Sequence, residues 1–347
     1  MKQRVVVFVP LLFVLFSVAA CSSRGSVSST PTEKLSLDAP LPTGIPPGTK
    51  LVIGDPVTQR VLEHTQWNKS IPFEIEWAHI QGGPAVTEAF SARALDVGSS
   101  ANMPPIHASW VGIPVKIIAV RLHKDPDSHP LYVLGISPQA KIDTLKDLRG
   151  KKIAFSPGQI QGEVVLRTLM TQGLTLQDVE LVELPSTGDV YVNALGDHTI
   201  DVAPLAAGAV SKRYIDTFGK IGGKLRPHTP FRDDLTVLYV RSETLEDPAK
   251  AAALRAYVKL WIRAAEWEEQ NPEGWARIYW MQTEGLSADD ARHQVEAYGP
   301  RYTPRDWSEA IALEQGSIDL FAQVLSRKHF DATTLFDRRF EKAAFEP

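Results

Sequence analysis

Polar side chains follow two of the short apolar runs in this chain, where a buried strand would give way to a helix. The first turn of a helix leaves backbone N–H groups without partners, and the helix dipole makes that end positive. Hydroxyl and amide groups placed there add further donors, and such an arrangement binds anions. The candidate donors are Ser99, Ser100 and Asn102 after the run Leu95–Gly98, and Gln159 and Gln161 after the run Lys152–Phe155.

Loops after other predicted parallel strands would also present free backbone N–H groups to the ligand. Helix capping by Ser100 or Asn102 ahead of Pro104 is an alternative that is compatible with ligand binding. The further candidate contact positions are Gly54, Gln81, Gly82, Gly83, Gly162 and Ala206.

Asp55 allows two interpretations. Asp55-Pro56 is typical of a helix N-cap with proline in the first turn, and this favoured interpretation needs no functional role. If the carboxylate faces the ligand instead, it would repel a simple anion and pair with the ammonium group of a zwitterion. Asp55 therefore stays among the candidate ligand contacts.

No pattern in the chain is typical of a catalytic or metal site. The nine histidines are scattered, and no H-E-x-x-H, C-x-x-C or G-x-S-x-G motif occurs. Gly158 and Gly162 are spaced as in a phosphate loop, but the Lys-Ser/Thr pair of such a loop is missing. We therefore predict no catalytic residue, no metal ion and no cofactor.

Two segments that carry these candidates repeat each other. Leu95-Asp96-Val97-Gly98 matches Ile200-Asp201-Val202-Ala203, and an apolar helical pattern precedes each copy. Each unit predicts an amphipathic helix, a polar turn and a buried strand that ends in a loop of small residues. Two related α/β units predict two similar lobes, whose facing strand ends would clamp a ligand.

Strand and helix patterns alternate along the first two thirds of the chain, which predicts an α/β fold with two mostly parallel sheets flanked by helices. Turn clusters suggest that the chain passes between lobes twice, through a two-strand hinge at about 122–130 and 226–234. The predicted lobe 1 comprises residues 49–124 and 233–347, and the predicted lobe 2 comprises residues 125–232.

From Asp247 the pattern is helical. Apolar residues recur on one helix face, and we favour packing over ligand stacking for the tryptophans in this region. Arg232, Arg301 and Tyr302 lie in segments that could flank the cleft, but the sequence does not fix where their side chains point. The face consists of Leu254, Val258, Trp261, Ile262 and Ala265, and the tryptophans are at 261, 267, 275, 280 and 307.

The N-terminus has the pattern of an export signal. Lys2 and Arg4 precede an uncharged apolar run, and Ala19-Ala20 precedes Cys21, the single cysteine of the chain. This arrangement resembles a bacterial lipobox, so we predict a signal peptide at 1–20 and acylation of Cys21. The Ser-, Thr- and Pro-rich stretch that follows predicts a disordered tether over 21–48.

Composition limits the choice of partners. Apolar residues at 44% and charged residues at 22% are typical of a globular protein, and the formal net charge is −4. No basic stripe stands out, so nucleic acid is excluded as a partner. We expect a monomer in the cell envelope, either held by lipid to the outer side of a bacterial plasma membrane or periplasmic.

The order of several motifs resembles the sulfonate/nitrate/taurine group of solute-binding proteins of ABC importers. Gly82-Gly83-Pro84, Leu95-Asp96-Val97-Gly98 and Pro104-Pro105-Ile106 carry the resemblance, and Thr144–Phe155 is similar to the segment that opens the second lobe of these proteins. The resemblance implies a two-lobed periplasmic-binding-protein-like (type II) fold. It also implies a lipoprotein that captures a small organic anion, most simply an aliphatic sulfonate, and delivers it to the permease subunits.

The chain differs from this family at two places, and two other functions are compatible with the fold. Gln159 and Gln161 stand where sulfonate binders carry a Ser-rich turn, and small residues at 204–208 replace an aromatic-Asp-Pro stretch, which favours a bulkier ligand. Alternatives are a sensing lipoprotein or an enzyme of this fold, such as a desulfinase or a thiamine-pyrimidine synthase. Those enzymes rely on cysteine or clustered histidine in the protein body, whereas the only cysteine here is Cys21.

Overall fold

The computed structural model describes residues 34–80 and 82–346. Strands and helices alternate up to Arg241, and helices dominate afterwards. The strands are β1 (Lys50–Gly54), β2 (Glu74–Trp77), β3 (Val97–Ala101), β4 (Val115–His123), β5 (Tyr132–Ile136), β6 (Lys152–Phe155), β7 (Glu180–Glu183), β8 (Val202–Ala206), β9 (Lys224–Arg226), β10 (Thr236–Arg241) and β11 (Arg301–Tyr302).

The helices lie between and after these strands. The α-helices are α1 (Pro56–Thr65), α2 (Gly83–Ser91), α3 (Met103–Trp110), α4 (Ile160–Thr171), α5 (Val190–Gly196), α6 (Ala209–Phe218), α7 (Ser242–Glu246), α8 (Pro248–Gln270), α9 (Pro272–Trp275), α10 (Ala288–Tyr298), α11 (Ser308–Leu325) and α12 (Arg339–Ala343). Short 3₁₀-helices span Trp67–Ser70, Leu145–Leu148, Leu176–Asp178, Gly219–Ile221 and Ala332–Leu335, and a π-helix spans Ala276–Met281.

The first sheet has the strand order β11-β4-β10-β3-β1-β2. β1 is parallel to β2 and β3, whereas β10 lies antiparallel between β3 and β4, and β11 is antiparallel to β4. Gly54, the last residue of β1, stands opposite Gly98, the second residue of β3, so the parallel strand β3 extends three residues beyond β1. The loops that follow these strands therefore leave the same edge of the sheet, where open α/β sheets bind ligands.

The second sheet has the order β7-β6-β8-β5-β9, with β6 parallel to β7 and β8, and β5 antiparallel to β8 and β9. The predicted α/β fold with two helix-flanked sheets is confirmed, but both sheets are mixed rather than mostly parallel. The reason is that β5 of the second sheet follows β4 of the first sheet, and β10 of the first sheet follows β9 of the second sheet. They do not follow a βαβ crossover, which would make neighbouring strands parallel.

The repeated motif forms the same structure in both sheets. Helix α2 leads into β3, and helix α5 leads into β8. The carboxylate of Asp96 accepts a hydrogen bond from the backbone N–H of Val52 (2.9 Å), and that of Asp201 accepts one from Lys152 N–H (2.8 Å). Each aspartate ties its turn to the neighbouring strand, and each strand starts at the next residue, two positions later than the sequence predicts.

Two chain segments pass between the sheets side by side. The carboxylate of Asp233 accepts from the backbone N–H groups of Leu131 (3.0 Å) and Tyr132 (2.9 Å). The carboxylate of Asp234 accepts from His123 N–H at 2.6 Å. These charge-assisted bonds join the two segments where the sequence predicts the hinge. The hinge motion and the lobe boundaries stay predictions.

Residues 34–48 pack onto the body of the protein, so the prediction of a disordered tether is wrong for this part. Leu37, Leu41 and Ile45 lie against the main apolar core, and Arg339 Nη1 donates to the carbonyl oxygen of Ala39 at 2.8 Å. Their apolar spacing outweighs the polar composition around them. The predicted signal peptide, Cys21 and the tether up to residue 33 lie outside the described residues.

The C-terminal helices cover the first sheet. The apolar face predicted for α8 is confirmed, because all five of its residues are buried. Within residues 34–80 and 82–346, no helix is long and apolar enough to cross a membrane.

Candidate functional site

A cavity of about 140 Å³ lies beside the end of β1 and the middle of β3. Asp55 directly follows β1 and Ser99 lies in β3, so these neighbouring strands form one side of the cavity. All lining residues belong to the predicted lobe 1. The others are Val57, Thr58, Arg121, Thr236, Trp261, Trp275, Tyr279, Trp280, Tyr298 and Arg301.

Two lining arginines share one carboxylate. Arg121 is 7% exposed, and its Nη1 donates to Glu268 Oε2 at 3.3 Å. The same oxygen accepts from Arg301 Nη2 at 3.1 Å, and Arg301 Nε donates to Glu269 Oε1 at 2.9 Å. Burial lowers the pKa of Arg121, while the charge of Glu268 raises it. The carboxylates thus stabilise two guanidinium groups on the cavity wall.

Asp55 both caps helix α1 and lines the cavity. Its Oδ1 accepts from Thr58 N–H at 3.3 Å, which confirms the predicted N-cap, and its Oδ2 accepts from the Tyr257 hydroxyl at 3.1 Å. Burial raises the pKa of Asp55, whereas the hydrogen bonds from Thr58 and the charge of Arg121 lower it. A further negative charge in the cavity would raise this pKa again.

Aromatic side chains of the C-terminal helices form much of the cavity wall. Trp275, Trp280 and Tyr298 contact one another, with ring centroids 5.7–5.8 Å apart, and Tyr279 packs against Trp280 at 4.9 Å. Tyr279 and Trp280 lie on the π-helix, a form of helix that is frequent at functional sites. The buried indole N–H groups of Trp275 and Trp280 have no acceptor among the described residues.

Ser100 and Asn102 do not line this cavity. Ser100 Oγ donates to the carbonyl oxygen of Ala101 at 2.9 Å. Asn102 precedes α3 without capping it, and its Nδ2 donates to Glu163 Oε2 and Ser317 Oγ, each at 3.1 Å. Helix capping by either residue is therefore wrong. The Asn102 amide instead connects β3 to helices α4 and α11.

The predicted contacts from lobe 2 lie around the N-terminus of α4. Gln159 precedes this helix and accepts a hydrogen bond from the Ser186 hydroxyl, and Gln161 is buried in its first turn. Gly162 packs against the backbone, because a Cβ there would lie 2.4 Å from the carbonyl oxygen of Ser156. None of the three predicted contacts lines the cavity.

The small residues after β8 make room for a side chain from α10. Gln294 Oε1 accepts from Ala209 N–H at 2.9 Å, and its Nε2 donates to the carbonyl oxygen of Ala207 at 3.3 Å. A Cβ on Gly208 would lie 2.7 Å from Gln294 Oε1. Gln294 thus packs against this segment, and Ala206 does not line the cavity. A wider cleft for a bulkier ligand stays a prediction.

The remaining candidates have packing roles or fall outside the description. A Cβ on Gly83 would lie 2.2 Å from Pro104, so glycine allows α2 to approach α3. A Cβ on Gly54 would lie 3.4 Å from the Leu95 side chain. Gly82 directly precedes α2. Gln81 and the lipidation candidate Cys21 are not among the described residues.

The sequence did not fix where the side chains of Arg232, Arg301 and Tyr302 point, and the structure places them differently. Arg301 lines the cavity. Arg232 binds Asp234 and Glu309, and the Tyr302 hydroxyl donates to Glu309 at 3.3 Å, so neither lines it.

Sequence reasoning missed Arg121 and the part that the aromatic residues play in the cavity. Arg121 ends an otherwise apolar strand pattern, and a buried charge within such a pattern was the available signal. Packing was predicted for Trp261 and Trp275, and both are indeed buried in apolar clusters. The sequence could not show that the same rings also border the cavity.

Part of this sequence is similar to sequences of known proteins. Residues 75–222 match the family model described as NMT1/THI5 like. A protein of Escherichia coli (strain K12), whose name describes it as binding aliphatic sulfonates, is 30% identical over 107 residues. That alignment covers 31% of this chain and 32% of the relative, so the chain matches about a third of the relative's length.

Solved structures share the fold. The alkanesulfonate-binding protein SsuA from Xanthomonas axonopodis pv. citri, solved with bound MOPS, has a TM-score of 0.69 at 17% identity and covers 84% of this chain and 98% of its own. The desulfurization enzyme DSZB has a TM-score of 0.59 at 13% identity, and the alignment covers 85% of this chain and 98% of the DSZB chain. The resemblance and the fold predicted from the sequence are confirmed, but this fold occurs in both binding proteins and enzymes.

Proposed function

We propose that this chain is the solute-binding component of an ABC importer and captures a small organic anion in the cavity. The observation that carries the proposal is the pair of guanidinium groups of Arg121 and Arg301 on the cavity wall, close to Ser99. Charge-assisted N–H donors bind sulfonate and carboxylate oxygens more strongly than neutral donors do. The relative named for aliphatic sulfonates supports that ligand class.

In this proposal the two lobes close on the ligand. The segments joined by Asp233 and Asp234 act as the hinge, and the bound ligand stabilises the closed form because it contacts that form better. The predicted contacts from lobe 2, Gln159 and Gln161, approach the ligand on closure. The closed protein then delivers its ligand to the permease subunits.

We also propose that the protein works as a lipid-anchored monomer. Acylation of Cys21 places it on the outer side of the plasma membrane, and two or three acyl chains suffice for stable attachment. The segment up to residue 33 then joins this anchor to the body.

The alternative of an enzyme has less support. The chain has no cysteine besides Cys21. Among residues 34–80 and 82–346, no group of three or more His, Cys, Asp or Glu side chains could hold a metal ion. After incubation with the protein, mass spectrometry should recover the ligand unchanged. Conversion of a bound sulfonate would favour the enzyme instead.

Calorimetry with a panel of alkanesulfonates, sulfate esters, nitrate and carboxylates tests the binding function. Arg301→Lys keeps the charge but loses the fork of donors, so we expect a tenfold to hundredfold weaker affinity, about 1–3 kcal/mol. Arg255→Lys is the matched control, because Arg255 lies on α8, pairs with Glu346 and does not line the cavity. If no organic anion binds, or if both variants bind like the wild type, the proposal is wrong.

A further inference from the structure

We propose that three buried N–H groups, Arg121 Nε, Trp275 Nε1 and Trp280 Nε1, hold the oxygens of an acidic head group that has three acceptor oxygens, as a sulfonate has. The inference rests on the proposed function, in which the cavity is the ligand site. It assigns recognition of the head group to the strand β4 and the C-terminal helices, and not to the helix N-termini that follow the strands.

The three N–H groups share an unusual property. Each is buried, each belongs to a residue that lines the same cavity, and none has an acceptor among the described residues. A buried donor is normally paired, because it has lost its hydrogen bonds to water. Trp110 shows the normal case, since its Nε1 donates to the carbonyl oxygen of Lys328 at 2.8 Å.

The same wall disfavours an ammonium group. An aromatic cluster with a nearby carboxylate is a typical site for such a cation. Here the guanidinium of Arg301 already lies 4.4 Å from the ring centroid of Trp275 and 5.5 Å from that of Tyr298. The carboxylate of Asp55 already accepts from Thr58 and Tyr257. Donors are thus in excess at the cavity, which fits a ligand rich in acceptors.

The number of donors and the volume narrow the ligand class. The three N–H groups match the three oxygens of a sulfonate, whereas a carboxylate offers two, and the buried Thr58 hydroxyl on the same wall can add a further donor. A cavity of about 140 Å³ is close to one that holds a benzene molecule, roughly six heavy atoms. Ethanesulfonate has that size. We therefore expect short alkanesulfonates to bind at least tenfold more tightly than the matching carboxylates.

Removal of single indole N–H groups tests the assignment on the full chain. Trp275→Phe and Trp280→Phe keep an aromatic ring but lose the donor, so each should bind ethanesulfonate at least tenfold more weakly in calorimetry. Trp110→Phe is the matched control and should bind like the wild type. Propionate, whose carboxylate has two oxygens, is the comparison ligand. The affinity for propionate should fall less in the two cavity variants than the affinity for ethanesulfonate does.

A spectroscopic signal separates hydrogen bonding from packing. In proton–nitrogen correlation spectra, ethanesulfonate should shift two indole N–H signals downfield, and these should be the signals that disappear in Trp275→Phe and Trp280→Phe. If ethanesulfonate binds the wild type but neither signal shifts and both variants bind normally, the three-donor assignment is wrong while the proposed function stands. If no anion of the panel binds, the proposed function fails, and this assignment fails with it.

Discussion

Asp55 shows how one residue joins the fold to the cavity. Its carboxylate caps α1 through Thr58, accepts from Tyr257 and lines the cavity beside Arg121. Burial raises its pKa, and a bound anion would raise it further. The Asp55 side chain therefore disfavours a simple anion while ionised and tolerates it once protonated.

Asp55→Asn should separate two ligand classes. Asparagine keeps the helix cap and removes the charge. Binding of ethanesulfonate should improve or stay the same, whereas binding of taurine should weaken about tenfold if its ammonium pairs with the carboxylate. Calorimetry with both ligands measures the difference. Weaker binding of ethanesulfonate together with an unchanged free energy of unfolding would contradict this account of Asp55.

Glu314 is a buried carboxyl group next to another acid. It is fully buried on α11, no described residue donates to it, and Glu163 lies nearby on α4. Burial and the charge of Glu163 raise the pKa of Glu314 well above its ordinary value of 4.5. The folded protein therefore keeps a proton that the unfolded chain releases.

Glu314→Gln should change how stability depends on pH. In the wild type, the free energy of unfolding should fall as the pH rises above 4.5, by up to about 1.4 kcal/mol per pH unit, until the pKa of the folded state is passed. Glutamine cannot ionise, so the part of this decline that Glu314 causes should disappear and the slope should become shallower. Urea unfolding between pH 4.5 and pH 8 measures it. Glu296→Gln, on the exposed face of α10, is the control, and equal slopes in the two variants would refute the assignment.

At the scale of elements, helix α10 connects the C-terminal helices to helix α6, which packs beside the second sheet. Gln294 binds the N-terminal end of α6, and Lys212 of α6 lies 3.0 Å from the carboxylate of Asp290. The amide supplies an acceptor for an α6 N–H group that the helix itself leaves without a partner. In the proposed clamp, these contacts stabilise the closed form.

Gln294→Ala should therefore shift the protein towards the open form. The expected loss of one buried hydrogen-bonding side chain is about 1–3 kcal/mol, and the apparent affinity should fall roughly tenfold or more. X-ray scattering should show less compaction on addition of ligand than in the wild type. Glu296→Ala on the same helix is the control. A variant that keeps full affinity and full compaction would exclude this role for α10.

For the whole molecule, the proposed function includes a lipid anchor at Cys21. The described part of the chain has no helix that could span a bilayer, and residues 34–48 are packed on the body. In the proposed function, the attachment is through acylated Cys21.

Cys21→Ser should release the protein from membranes. In the proposed anchoring, the acyl chains of Cys21 enter the bilayer and not the protein core, so we expect the free energy of unfolding to change by less than about 0.5 kcal/mol. Fractionation after a high-salt wash, followed by immunoblotting, measures the release. A variant that stays with the membrane pellet would show that acylation of Cys21 is not the anchor.

Much of the fold follows from the sequence, because local pattern fixes local structure. Alternation of apolar runs and turns predicted nine of the eleven strands in the described residues to within a few residues, but not β9 or β11. The repeat predicted two equivalent helix–strand units, and Asp55-Pro56 predicted a helix start. These features depend on neighbouring residues and on burial of one face. The direction of β5 and β10 did not follow, since it depends on where the chain crosses between sheets.

The cavity was decided by tertiary structure. Ser99 and Asp55 come together because β1 and β3 are adjacent and parallel in the first sheet. Arg121, Trp275 and Arg301 meet only through long-range packing of α8 to α10 on the sheet, and no local pattern encodes that contact. The sequence by itself determined the fold and the chemical types available at the strand ends. Tertiary packing decided which donors border the cavity, because a side chain's partners depend on elements distant in the chain.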